Sequence, residues 1–132
     1  MQENFEYSAS ETNNITVFAY PELIGVDDNQ RRLWGYVLRI ENNSEEPIVL
    51  TDKNLYLVDE TGNSFCDSSK GFHGELPDLQ PGEYFEYEET TRTDGLSAVL
   101  YGFCSAVTAK GKKLKISLPV MNLTCEKAFL LN

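Results

Sequence analysis

One segment constrains the fold more than any other. In Trp34-Gly35-Tyr36-Val37-Leu38-Arg39-Ile40-Glu41, large apolar side chains stand at every second position. That is the period of a strand with one face buried; a helix would scatter the same residues around its axis. Asn42-Asn43-Ser44-Glu45-Glu46-Pro47 then forms a run of turn residues. The same grammar recurs along the chain. Asn14 to Tyr20 reads as a first strand stopped by Pro21, and Ile48-Val49-Leu50 begins another. Leu55 to Val58 follows and closes in Asp59-Glu60-Thr61-Gly62-Asn63, a hairpin loop. Tyr84 to Glu88, Ala98 to Val107, and Leu114, Ile116 and Leu118 complete the set. No amphipathic helical window competes. Seven or eight short strands at regular spacing predict an all-β, antiparallel sandwich.

The chain of 132 residues has room for one core, and its 11% aromatic content argues against wholesale disorder. Residues 1–13 carry little pattern and read as a flexible N-terminal segment, leaving 14–132 as a single domain. The apolar Phe129-Leu130-Leu131 is expected to dock on the domain body. Twenty-one acidic residues against eleven basic give a formal charge of −10, which disfavours nucleic acid and anionic membranes. No apolar run approaches a membrane span, and the acidic N-terminus does not resemble a signal peptide, so a soluble cytoplasmic protein is expected. Cys66, Cys104 and Cys125 stand far apart without a C-x-x-C pair, which fits reduced thiols, and no cofactor is expected.

Chemistry concentrates between Ser68 and Gly82, a long loop with two glycines, a lysine and the single histidine. Ser69, Lys70, Gly71, His73 and Gly74 are candidates for binding phosphate, because glycines let backbone amides approach an anion and a lysine adds charge. Pro77 and Pro81 exclude a following helix, so the helix-dipole part of such a site is missing. Phe72, Glu75 and Leu76 are the corresponding candidates for contact with a protein partner. His73 with Glu86 and Glu88, which share one strand face, are weak candidates for a divalent cation. A hydrolase using Cys66 and His73 lacks a third, orienting group.

The segment Gly71-x-x-Gly74-Glu75-x-Pro77-x-Leu79-x-Pro81-Gly82-x-x-Phe85-Glu86-Tyr87 resembles the central signature of the ApaG family. Trp34-x-Tyr36-x-x-x-Ile40-Glu41-Asn42, Asp59-x-x-Gly62, Gly102 and Ile116-x-Leu118-Pro119-x-Met121-x-Leu123 fall in family order around it. The chain departs from the pattern in three places. Ser69 stands where the family's glycine motif begins, Lys53-Asn54-Leu55 replaces an Arg-His-Trp strand motif, and Cys104 replaces an aromatic. The resemblance implies an immunoglobulin- or fibronectin-type-III-like β-sandwich. It also implies a non-enzymatic interaction module, associated with cobalt and magnesium homeostasis or efflux through a partner protein. The alternative is a phosphate-, pyrophosphate- or nucleotide-binding protein using residues 69–74.

Overall fold

The computed structural model describes residues 7–124. Nine strands, β1 (Ser8–Thr12), β2 (Ile15–Val26), β3 (Arg32–Asn42), β4 (Ile48–Asp59), β5 (Ser64–Lys70), β6 (Asp78–Leu79), β7 (Tyr84–Thr93), β8 (Ser97–Thr108) and β9 (Lys113–Thr124), make up the described fold, with no helix. They form two antiparallel sheets, β1-β2-β3-β7 and β5-β4-β8-β9, with β6 added beside β4. This is the all-β sandwich the period-two pattern predicts, with three further strands, β1, β5 and β6, that the pattern does not mark. The apolar tail 129–131 lies outside the described residues.

The alternation in β3 works as expected. Trp34, Tyr36, Leu38 and Ile40 point between the sheets and are each 5% exposed or less. Opposite them pack Leu50, Leu55, Leu100, Cys104, Ile116 and Met121 from the second sheet. Trp34 is buried without leaving its indole unsatisfied, since its Nε1 donates to Thr93 Oγ1 at 3.0 Å.

Three strand boundaries differ from the sequence reading. β2 does not stop at Pro21 but continues to Val26, with Pro21 opposite Tyr36. β1 reaches only as far as Ala19, so the flank of β2 beyond it has no described partner strand, and a proline there costs no ladder hydrogen bond. Ile48–Leu50 and Leu55–Val58 are one strand, β4, joined through a bulge at Thr51. Unbroken alternation from Ile48 and Leu50 would turn Asp52 and Asn54 inward. The extra residue shifts the phase, so Lys53, Leu55 and Leu57 point inward instead. Finally, β1 occupies Ser8–Thr12, within the stretch read as an N-terminal segment. Asn13 and Asn14, at φ 53° and 64°, turn it into β2 as a two-residue hairpin.

Candidate functional site

The segment from Ser68 to Gly82 is a built structure rather than an open loop. Ser68, Ser69 and Lys70 belong to β5, where Ser69 faces Lys53 and Lys70 faces Asp52. The Gly71 amide donates to Thr51 O at 2.8 Å. Phe72 and Glu75 then exchange backbone hydrogen bonds of 2.8 and 3.1 Å, closing a miniature hairpin. Its two tip residues, His73 and Gly74, have φ 54° and 82°, the left-handed pair of a type I′ turn. Gly71 is required by the same construction: at φ +73°, an added Cβ would stand 2.6 Å from Glu75 O. The glycines therefore serve the turn. The amides of Gly71 and Phe72 are spent on the protein's own carbonyls. Among the described residues, nothing accepts from the amides of His73 and Gly74, so these two and the exposed Lys70 are what the loop offers an anion.

Phe72, expected at a partner surface, is 1% exposed. Its ring meets Phe85 and Tyr87 edge-on, with centroids 5.5 and 5.2 Å away. It anchors the hairpin in the core and offers nothing to a partner. Leu76 and Glu75 do remain outside, Leu76 at 45% exposure. Beyond them the chain is pinned again. Pro77 O accepts from the Leu50 amide, and β6 adds Asp78 and Leu79 to the edge of β4.

The far end of the loop is tied to the turn after β3 by a single buried asparagine. Asn42 Nδ2 donates to Leu79 O at 2.9 Å and to Glu46 O at 2.8 Å, while its Oδ1 accepts from the Ser44 amide and hydroxyl. Its backbone carbonyl takes the Gly82 amide at 2.7 Å. Every polar group of this fully buried side chain is satisfied, as burial demands. Between these two anchor points, Glu75, Pro77, Asp78, Glu83 and Tyr84 line a groove of about 520 Å³, with Tyr84 52% exposed.

His73 leans on the other sheet. Its ring centroid lies 4.7 Å from that of Tyr87, and Nε2 is 3.4 Å from Glu88 O and 3.8 Å from Glu89 Oε2. Cys66 points to the outer face of the second sheet, where its Sγ meets Ser68 Oγ at 3.5 Å. The pair is not assembled as nucleophile and base. Glu86 and Glu88 do share the outer face of β7, but Glu86 is engaged by Arg39 at 3.2 Å. Among the described residues, no three His, Cys, Asp or Glu side chains converge to hold a metal ion.

The structure also assembles a cluster the sequence reading missed. Lys53, 3% exposed, points between the sheets and pairs with Asp67 of β5 at 2.6 Å. Its ammonium lies 5.2 Å from the ring centre of Tyr87, whose hydroxyl donates to Glu89 Oε2 at 3.2 Å. Tyr36 completes the group. Burial above all, with the charges of Glu89 and Asp67 adding to it, raises both phenols, so they stay protonated, and Tyr87 acts as a donor. Tyr87 and Glu89, two apart on β7, share the inward face by simple alternation, and that was the available signal. Lys53 stands where the resemblance places an arginine, so the cation is retained although the motif is not.

Comparison with known proteins decides the family. Residues 25–107 match the model of the ApaG domain. The chain belongs to the ApaG family. Protein ApaG of Parvibaculum lavamentivorans is 31% identical over 120 residues, covering 89% of this chain and 92% of that one. Protein ApaG of Agrobacterium fabrum is 30% identical over 96 residues, covering 73% and 74%. A solved structure from Bordetella pertussis, under the name ApaA, superposes with a TM-score of 0.80 at 22% identity, covering 86% of this chain and 94% of that one. That likeness supports the sandwich fold. The ApaG residues singled out above meet in space: Asn42 of the Ile40-Glu41-Asn42 turn holds Leu79 and Gly82 of the central signature.

Proposed function

We propose that this ApaG chain is a non-enzymatic interaction module that receives a protein partner on the outer side of the segment Glu75–Tyr84. The observation that supports it is Leu76. A large apolar side chain stands exposed on a segment pinned at both ends, beside a groove walled by Tyr84. Pre-ordered backbone lowers the entropy lost on docking, and exposed Leu and Tyr supply desolvation energy. Cys66 and His73 are engaged with other partners and are not paired as nucleophile and base. In this reading, the association with cobalt and magnesium efflux that the resemblance implies runs through the partner. Phosphate capture at residues 69–74 is the weaker reading, since it relies on two tip amides and Lys70.

The test is site-specific photo-crosslinking from position 76, with position 120 as control. Val120 is at least as exposed, at 52%, but lies on β9. A discrete adduct from 76 that is absent from 120, and lost on Glu75→Lys, is expected. Identical adduct patterns from both positions would refute the reading. A pyrophosphate titration showing saturable shifts at His73 and Gly74 would favour the alternative.

A further inference from the structure

We propose a second docking site, on the outer face of the first sheet, for a lysine or arginine side chain of an extended partner segment. It lies on a different face from Leu76 and is argued independently of it. A groove of about 380 Å³ crosses β2, β3 and β7 there, and its lining includes Tyr20, Glu22, Ile24, Gly35, Val37 and Glu88. Its floor exists because Gly35 has no side chain, in the row where Val37 and Arg39 otherwise project. Ile24, 55% exposed, leans over that gap, its Cδ1 2.9 Å from where a Gly35 Cβ would stand. Tyr20 forms the opposite wall, with Phe18 and Tyr7 behind it at 6.5 and 5.7 Å between ring centres.

The chemistry selects the occupant. Glu22 and Glu88 are both exposed and stand on the strands either side of β3, opposite Gly35 and Val37, which sets them two strand spacings and two residues, roughly 12 Å, apart along the backbone. Neither takes part in an ion pair among the described residues. The two arginines of this face are already held, Arg39 by Glu41 and Glu86 and Arg92 by Asp27. An acidic or phosphorylated ligand is repelled, and so is a second copy of this chain, also at −10. A purely apolar ligand would strip water from the two carboxylates without replacing it. A basic side chain meets every element. Its methylenes lie on Ile24 and Val37, its charge faces Glu22 and Glu88, and the Tyr20 ring accepts the cation.

The probe is acetyl-Val-Lys-Val-Arg-Val-amide, titrated into the ¹⁵N-labelled full chain. The control peptide carries norleucine and citrulline in place of the two bases. Saturable amide shifts confined to the surroundings of Ile24, Gly35, Val37 and Thr90 are expected, with the control binding at least ten-fold more weakly. The double variant Glu22→Gln/Glu88→Gln alters only exposed carboxylates. It should weaken the basic peptide at least ten-fold while leaving the rest of the spectrum unchanged, and Leu76→Asp should leave peptide binding as it was. Three outcomes overturn the proposal: unsaturable shifts spread over the acidic surface, equal binding of the control peptide, or groove shifts that appear on concentrating the protein alone, which would give the face to a second copy.

Discussion

Between the two sheets, the residues around Leu38 and Cys104 pack dry, whereas those around Lys53 and Tyr87, at the flank shared by β5 and β7, are held by charge. In the dry region even the cysteine behaves as a small hydrophobe: burial, with some help from Asp52, pushes the Cys104 thiol up to about 12. At the charged flank, one ion pair and one tyrosine–carboxylate hydrogen bond do the closing. The difference has a physical origin. Strands in the middle of each sheet are covered from both sides, but β5 and β7 are edges, where water reaches Asp67 and Glu89 at about one-third exposure. Apolar packing there would leave a wet hydrophobic rim, and inward-pointing charges also discourage pairing with other chains.

The dry region should be the less forgiving of the two. Gly102, half-buried, borders it on β8 against β4, where an added Cβ would stand 1.9 Å from Asn54 O. Backbone cannot retreat as a side chain can. Gly102→Ala is therefore expected to cost roughly 3 kcal/mol or more, or to prevent folding. Equilibrium denaturation in urea measures it, and an unchanged midpoint would show that the β4–β8 contact is looser than described.

The charged flank is tested by a double-mutant cycle. Lys53→Met keeps the buried stem but removes the ammonium, leaving Asp67 without its partner. The expected cost is about 2 kcal/mol, below that of a fully buried pair because Asp67 is 36% exposed and can rehydrate. Adding Asp67→Leu should return stability to within about 1 kcal/mol of the parent, since replacing both charges by apolar groups is often neutral. A double variant as damaged as the single one would mean that the flank depends on the pair for register, and the contrast with the dry region would then be sharper.

The same contrast explains what the sequence showed and what it hid. Trp34 to Ile40 announced a half-buried strand because a covered strand must alternate. Ser64 to Lys70 announced nothing: an edge strand facing water needs no apolar row, and its one large residue, Phe65, is 62% exposed. The polar run Thr51-Asp52-Lys53-Asn54 read as a break, when it is a bulge that turns Lys53 inward. Phe72 looked like a surface anchor because it sits between glycines, and no periodicity reveals that the hairpin folds back onto Phe85 and Tyr87. Lys53 and Asp67 meet only through the β4–β5 register, which the sequence reading had not paired. Leu76 and Glu75 kept their exposed positions, because the prolines and glycines around them dictate turns whatever the fold.

The smallest expected effect concerns a carboxylate held by neutral donors instead of a cation. Asp59 closes the β4–β5 hairpin. Burial opposes its charge, but hydrogen bonds from the Thr61 hydroxyl and from the Asp94, Asn63 and Thr61 amides outweigh it, so its carboxyl titrates below the usual 3.8. A folded pKa below the unfolded one contributes stability that is present above about pH 4 and lost as pH falls through the folded value. The chain carries twenty other acidic residues, so the measurable quantity is a difference between variant and parent. Asp59→Asn cannot titrate. Its stability should lie below the parent's at pH 7 by about 1 kcal/mol, the difference between hydrogen bonds to a charged and to a neutral acceptor, and the gap should narrow as the pH is lowered to 3. A gap that stays constant with pH would mean that the hairpin is held by the shape of the side chain and not by its charge. In that case the electrostatic part of the closure would rest on Lys53–Asp67 and on the Tyr87–Glu89 bond.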